Sequence, residues 1–222
     1  MIKKKIKLFV FNPYSQLGGT DLSLSRLFEY LKKTNNYEIT YICLNKSKIK
    51  YKILNQIKVI KLKKERTLYC INDIKKILKK HKFDKFKKTI FISNQNFANI
   101  VAFFAFKKFK KLKTIAIERT PLHELEVFEN IQKSFKSKII KYLMKFVYPK
   151  YDLIICISNY IKAQLNLISN VRTKIIYNPS FFKKIKFKKK NVKYLRILNV
   201  GRLEKSKDQI TILKAINLIK NK

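Results

Sequence analysis

Apolar residues along this chain fall in short β-rich runs that alternate with segments of helical spacing. Ile6 to Phe11 reads as a strand, and Leu22 to Leu31 repeats its apolar residues at helical intervals. Glu38 to Leu44 and Ile57 to Leu62 predict the next two strands, followed by a helix over Ile71 to Lys80 and a strand over Thr89 to Ile92. A helix with a buried face is expected over Phe97 to Phe109, then a strand over Thr114 to Ile117. Leu125 to Val147 reads as a largely helical region ended by Pro149. Leu153 to Ile157 as a strand, Tyr160 to Ile168 as a helix and Lys174 to Tyr177 as a last run close the series.

Leu153-Ile154-Ile155-Cys156-Ile157 is apolar at every position, so it needs cover on both faces. The economical arrangement is an α/β fold with a doubly wound, parallel, Rossmann-like sheet over residues 1–179. After Asn178-Pro179 the period is lost in a Lys-dense stretch, 180–194, read as a linker. Leu195 to Val200 then begins a fresh strand, Gly201 a turn, and Gln209 to Ile219 a helix. Residues 195–222 thus read as the first βα unit of a second domain, and one such unit cannot bury its own faces. A fragment, an interrupted reading frame and a partner chain supplying the rest all fit that ending.

Composition narrows the classes. With 46% hydrophobic residues the chain can bury a core, despite 53 Lys and Arg against 13 Asp and Glu and a net charge of +40. Such charge suits nucleic acid, but the basic residues are spread along the whole chain and only six are Arg, the side chain best fitted to bidentate phosphate or guanine contacts. A solvated Lys coat and an anionic membrane surface are the expected readings, and no nucleic-acid partner is expected. Cys43, Cys70 and Cys156 share no metal or disulfide spacing, which fits a reducing cytoplasm. The apolar stretch near Met1 is too short for a secretion signal. The longest apolar run, Phe97 to Phe106, is about half of what a bilayer-spanning helix needs. Localisation is therefore expected to be cytoplasmic, with any membrane contact peripheral on the inner face. The aromatic, Lys-rich segment Lys141 to Tyr151 is the candidate contact, and an amphipathic helix packed on the sheet explains it equally well.

Four polar clusters carry candidate chemistry. The first strand runs into Asn12 to Asp21, where Gly18 and Gly19 allow close backbone approach to a ligand and the next helix offers free amides, with Thr20 at its start. A flexible turn capped by Thr20 or Asp21 is the simpler alternative. The G-x-G-x-x-G fingerprint is absent, and Leu44-Asn45-Lys46 lacks the ribose-holding acid, so NAD is disfavoured. The second cluster, Glu118-Arg119-Thr120-Pro121-Leu122-His123, follows a strand at the edge where open α/β sheets bind ligands. Arg119 is its strongest candidate, whereas His123, able to exchange protons near neutral pH, also reads as part of a helix start. Ser158 most simply caps a helix. In Val200 to Asp208, Arg202 and Lys207 place two cations five residues apart ahead of a helix, an arrangement suited to a diphosphate.

These clusters, in this order, resemble the retaining glycosyltransferases of the GT-B fold in family four, or group one. The resemblance rests on Gly18-Gly19-Thr20-Asp21, Glu118-Arg119, Ile157-Ser158-Asn159-Tyr160, Tyr177-Asn178-Pro179 and Val200-Gly201-Arg202-Leu203 with Lys207, and runs from about Ile6 to Ile219. It implies two facing Rossmann-like domains, no metal and no cofactor beyond a nucleotide-diphosphate sugar as substrate. It also implies a glycan or lipid-linked glycan acceptor, as in building cell-surface polysaccharides. By position, Arg202 and Lys207 correspond to the pair gripping the donor diphosphate. Gly18 and Gly19 correspond to the loop bordering donor phosphates and acceptor, with Thr20, Glu118, Arg119 and His123 grouped with donor or acceptor. The rival reading is a catalytically silent domain that binds an acceptor glycan or a partner subunit.

Overall fold

A computed structural model describes residues 4–15, 18–47, 52–122, 131–179, 197–201, 203 and 208–220. The chain divides into two units, Met1–Ser180 and Phe181–Lys222.

In the first unit the described strands form one parallel sheet. They are β1 (Ile6–Phe11), β2 (Tyr37–Leu44), β3 (Lys58–Leu62), β4 (Lys88–Asn94), β5 (Leu112–Glu118), β6 (Leu153–Cys156) and β7 (Thr173–Ile175), ordered β3-β2-β1-β4-β5-β6-β7. The helices are α1 (Gly19–Lys33), α2 (Ile71–Lys79), α3 (Asn96–Phe106), α4 (Ile131–Val147) and α5 (Asn159–Ile168). The doubly wound parallel sheet expected from the sequence is thus the fold observed.

The chain winds outward from β1 to β3, then returns past β1 to β4 and continues to β7. Right-handed crossovers place these two directions of travel on opposite faces of the sheet. On one face, Ile74 of α2, Phe106 of α3, Met144 of α4 and Leu165 of α5 share a core with Phe9, Phe91, Ala116 and Ile154. On the other, Leu24 and Phe28 of α1 pack on Leu8, Val10 and Tyr41. Successive strand residues point to opposite faces, which is why β1 is buried on both and apolar at every position but Lys7, whose ammonium donates to Glu38 Oε1 and Thr40 Oγ1. Phe28 is fully buried, edge-on to Tyr41 at 5.9 Å between ring centroids, a burial that stabilises by roughly 1.5–3 kcal/mol.

The winding direction reverses between β1 and β4, so the crevice beyond their carboxyl ends is the switch point at which such sheets take ligands. The same topology leaves half of one face bare. From β4 onward the connections that lead from strand to strand all cross the α2–α5 side. Ile92, Ile117, Ile155 and Ile157 therefore line a cavity of about 520 Å³ whose opposite wall is α1.

The second unit contains α6 (Gln209–Lys220). Ile197 to Val200, expected within a strand, forms none, and Leu198 and Val200 are 86% and 87% exposed. A parallel strand needs a neighbour to receive its hydrogen bonds, and the described residues of this unit include no other strand.

Candidate functional site

The first wall of the crevice is the β1–α1 turn. Asn12, buried just beyond β1, donates through Nδ2 to the Tyr41 hydroxyl (2.9 Å) and to Asp21 Oδ1 (3.0 Å). Gly18 is the residue ahead of α1, extended at φ −85°. Having no side chain, it cannot cap the helix. Asp21 reaches back instead, its Oδ2 accepting from the Gly18 amide at 3.3 Å, and its charge suits the positive end of the helix. Among the described residues, and apart from chain neighbours and its own helix, a Cβ added at Gly18 or Gly19 would meet no atom within 4 Å, and neither glycine has a positive φ. Internal packing and turn geometry therefore do not demand glycine here. Open space beside the first-turn amides suits a ligand that approaches the backbone closely.

The second wall is the exit of β5. Glu118, expected to face a ligand, is turned fully inward. Its Oε2 accepts from the Tyr148 hydroxyl at 2.5 Å, and its Oε1 accepts from the amides of Arg119 (3.1 Å) and Thr120 (3.2 Å). Burial raises its pKa from 4.5 to about 7, against the opposing pull of those hydrogen bonds and of Arg119. Beneath it, Asn99 Nδ2 donates to the Tyr148 hydroxyl (3.2 Å), while the Tyr151 hydroxyl donates to the Asn99 carbonyl (2.7 Å). Glu118 is thus a positioning residue: it shapes the turn that aims Arg119.

Arg119 projects the other way. Its Nε donates to Asn94 Oδ1 (3.2 Å) at the end of β4, and one terminal nitrogen donates to Asn178 Oδ1 (2.7 Å) beyond β7. Both acceptors are neutral amides, so the guanidinium is fixed in place without being neutralised by them. Burial lowers the Arg119 pKa, with the Asp21 and Glu118 carboxylates pushing it back up. The influence of Asp21 ties the two walls together. Asn94 is itself buried, and its Nδ2 has no partner among the described residues, leaving a donor available beside the guanidinium.

At the head of α3, next to this cluster, Gln95 has φ 75° and ψ 150°, a region that residues with a Cβ rarely enter. Gln95→Gly is expected to raise stability by about 1 kcal/mol, strain relief exceeding the entropic cost of glycine. Urea unfolding checks this, and a loss of stability would mean that the side chain supports the turn.

The structure therefore places Gly18, Gly19 and Thr20 after β1 and Arg119 after β5, at the same carboxyl edge of the sheet, and turns Glu118 inward. His123, Arg202 and Lys207 lie outside the described residues. Ser158 caps α5, its Oγ accepting from the Ile161 amide at 3.2 Å, the role the sequence favoured. Asn94 and Asn178 were not among the expected site residues. Each is a polar residue directly beyond an apolar strand run, the same signal that marked Glu118-Arg119.

Residues 17–179 match the family model described as Glycosyltransferase Family 4. No curated protein matches the chain. Among solved structures, the lipopolysaccharide outer core galactosyltransferase WaaB in its apo form superposes with a TM-score of 0.56 at 19% identity, covering 81% of this chain and 47% of that one. A ugt transferase from Siraitia grosvenorii in complex with UDP gives 0.51 at 10% identity, covering 77% and 50%. A UDP-N-acetylglucosamine 2-epimerase from Listeria monocytogenes gives 0.50 at 12%, covering 73% and 42%. At these identities the likeness is one of fold, that of the Rossmann-like half of GT-B proteins. The chain spans about half the length of these solved relatives.

Proposed function

The chain belongs to glycosyltransferase family 4, and from that premise we propose that it forms the acceptor-side half of an enzyme moving a sugar from a nucleotide-diphosphate donor to a glycan or lipid-linked glycan, with retention at the anomeric carbon. The observation carrying this reading is the crevice itself. A guanidinium held by two neutral amides stands at the carboxyl edge of the sheet, within the electrostatic influence of Asp21 from the glycine turn, beside the switch point.

In the proposed reaction the bond between the sugar's anomeric carbon and the diphosphate breaks, the acceptor oxygen bonds to that carbon, and the hydroxyl proton is released. Negative charge grows on the departing diphosphate, and a fixed cation lowers the barrier because it needs no rearrangement as the charge appears. The first-turn amides at Gly19 and Thr20 add oriented dipoles of the same sign. Arg202 and Lys207 are assigned to the donor diphosphate by their correspondence with the family. Among the described residues no helix is long and apolar enough to cross a membrane.

Thermal unfolding of the full chain with uridine and guanosine diphosphates, and with their sugars, tests the reading, since a ligand of the native state raises its midpoint. A rise is expected with at least one nucleotide. Gly19→Val should remove that rise with little change in the unliganded midpoint, because a Cβ there meets no described atom within 4 Å beyond its own helix and chain neighbours. No rise with any nucleotide would favour the rival, a domain that binds an acceptor glycan or a partner subunit without catalysis.

A further inference from the structure

The outer side of α4 carries a feature that neither the crevice nor the core uses. Its inward side is Ser137, Ile140, Met144 and Val147, all buried. On the opposite side Phe135, Ile139, Tyr142 and Phe146 are 67%, 44%, 74% and 54% exposed. At about 100° per residue these four fall within an arc of roughly 60°, so they form a straight apolar ridge along the helix. Lys138, Lys141 and Lys145 run along one flank of the ridge and Lys136 along the other. Residues 131–151 contain no Asp or Glu.

The ridge continues onto the end of α3. Phe146 meets the Phe103 ring edge-on at 6.4 Å between centroids, and Lys150 Nζ lies 4.8 Å from the Phe146 ring centroid. Lys107 stands over Phe104 in the same way, at 5.3 Å. The nearby acids Asp84 and Asp152 are already paired, with Lys111 and Lys113.

We propose that this ridge is a docking surface for an anionic lipid bilayer, with the Phe135, Ile139 and Tyr142 side chains entering the boundary between headgroups and acyl chains and the flanking lysines meeting the headgroups. A narrow apolar strip with aromatic residues, bordered by cations, is the form a helix takes when it lies in the plane of an interface. The charge selects the occupant. A second copy seated ridge to ridge would bring two lysine flanks of a chain with net charge +40 together, whereas anionic headgroups attract each lysine near the surface by about a fivefold gain in binding. Nucleic acid offers nothing for Phe135 or Ile139 to enter. The sequence had placed this role on Lys141 to Tyr151, but Tyr148 and Tyr151 in that segment are core residues, and the exposed ridge begins further back, at Phe135.

The chain has no Trp, so a single introduced one reports its own surroundings. Tyr142→Trp in the full chain should shift its emission to the blue, and be quenched by brominated lipid, on vesicles with about 30 mol % anionic lipid and not on neutral ones. Tyr30→Trp, at an equally exposed position on α1, should not change. In co-sedimentation, Phe135→Ser with Ile139→Ser should lower binding about tenfold, and Lys138→Gln with Lys145→Gln should lower it at least as much. Equal responses from the two reporters, or binding that ignores the serine pair, would reduce the effect to a general lysine coat and overturn the proposal. Self-association abolished by the serine pair, without vesicle binding, would overturn it in favour of an interface between copies. None of these readouts depends on nucleotide, so this proposal stands or falls apart from the enzymatic one.

Discussion

Glu118→Ala is expected to cost about 3–5 kcal/mol of stability, because it leaves a void and strands several buried donors at once. The Tyr148 hydroxyl and the Arg119 and Thr120 amides all lose their acceptor. Glu118→Gln separates the shape of this residue from its charge. The carboxyl pKa is raised from 4.5 to about 7 in the folded chain, so folding favours the protonated form. Its contribution is fully present below about pH 4.5 and is lost as pH rises through about 7, a difference on the order of 3 kcal/mol. Glutamine resembles the protonated acid and does not titrate. The variant should therefore lie close to wild type near pH 4 and gain on it steadily up to pH 8. Urea unfolding across that range measures the difference curve, in which titrations common to both proteins cancel. A flat difference would show that the Glu118 carboxylate is accommodated as an anion and that burial does not control it.

Arg119→Met is expected to lower kcat/KM by about 10²–10³, the loss that follows removal of one preorganised group facing developing charge. Stability should change far less, since the guanidinium bonds neutral amides at the rim of the crevice. Arg119→Lys should recover only part of the loss. An ammonium keeps the charge but not the planar fork that reaches Asn94 and Asn178 together. The assay is release of nucleoside diphosphate from whichever sugar donor raises the melting midpoint. If instead stability falls with activity and the folded fraction keeps the wild-type rate, Arg119 serves only to tie three strand exits together.

The proposed function and the proposed lipid surface fit one geometry. Because β5 and β6 are parallel, α4 must return from the carboxyl edge of the sheet to the amino edge between them. Its first turn therefore starts on the crevice side, and a bilayer along its outer face would lie beside the crevice. For a lipid-linked acceptor that shortens the search to two dimensions.

Much of the fold was legible in local pattern. β1 is observed at Ile6–Phe11, the limits the apolar run suggested, and α2 and α5 match to within a residue at each end. Periods of two and of 3.6 residues are properties of adjacent peptides, and strands apolar on both faces already require helices on two sides. The polar residues directly beyond each strand were legible for the same reason. Local pattern failed where burial depends on distant partners. Tyr148 and Tyr151 look like neighbours of Tyr142, yet they are buried because Glu118, Asn99 and Ser93 wait for them across the sheet. Ile197 to Val200 has the composition of a strand and, among the described residues, no strand beside it to pair with.

Within the first unit, the sequence by itself determined where most strands and helices lie, which strand ends are polar, and that a glycine turn and an arginine stand at two of those ends. Only the tertiary structure decided that these ends meet. Arg119 finds its partners 25 and 59 residues away because the strand order brings the exits of β4, β5 and β7 to one edge. It also decided that Glu118 points inward while its neighbour points out, and which side of α4 is left to solvent. Side-chain direction at a strand end, and cover over a helix face, are set by what packs against them, and no stretch of adjacent residues contains that information.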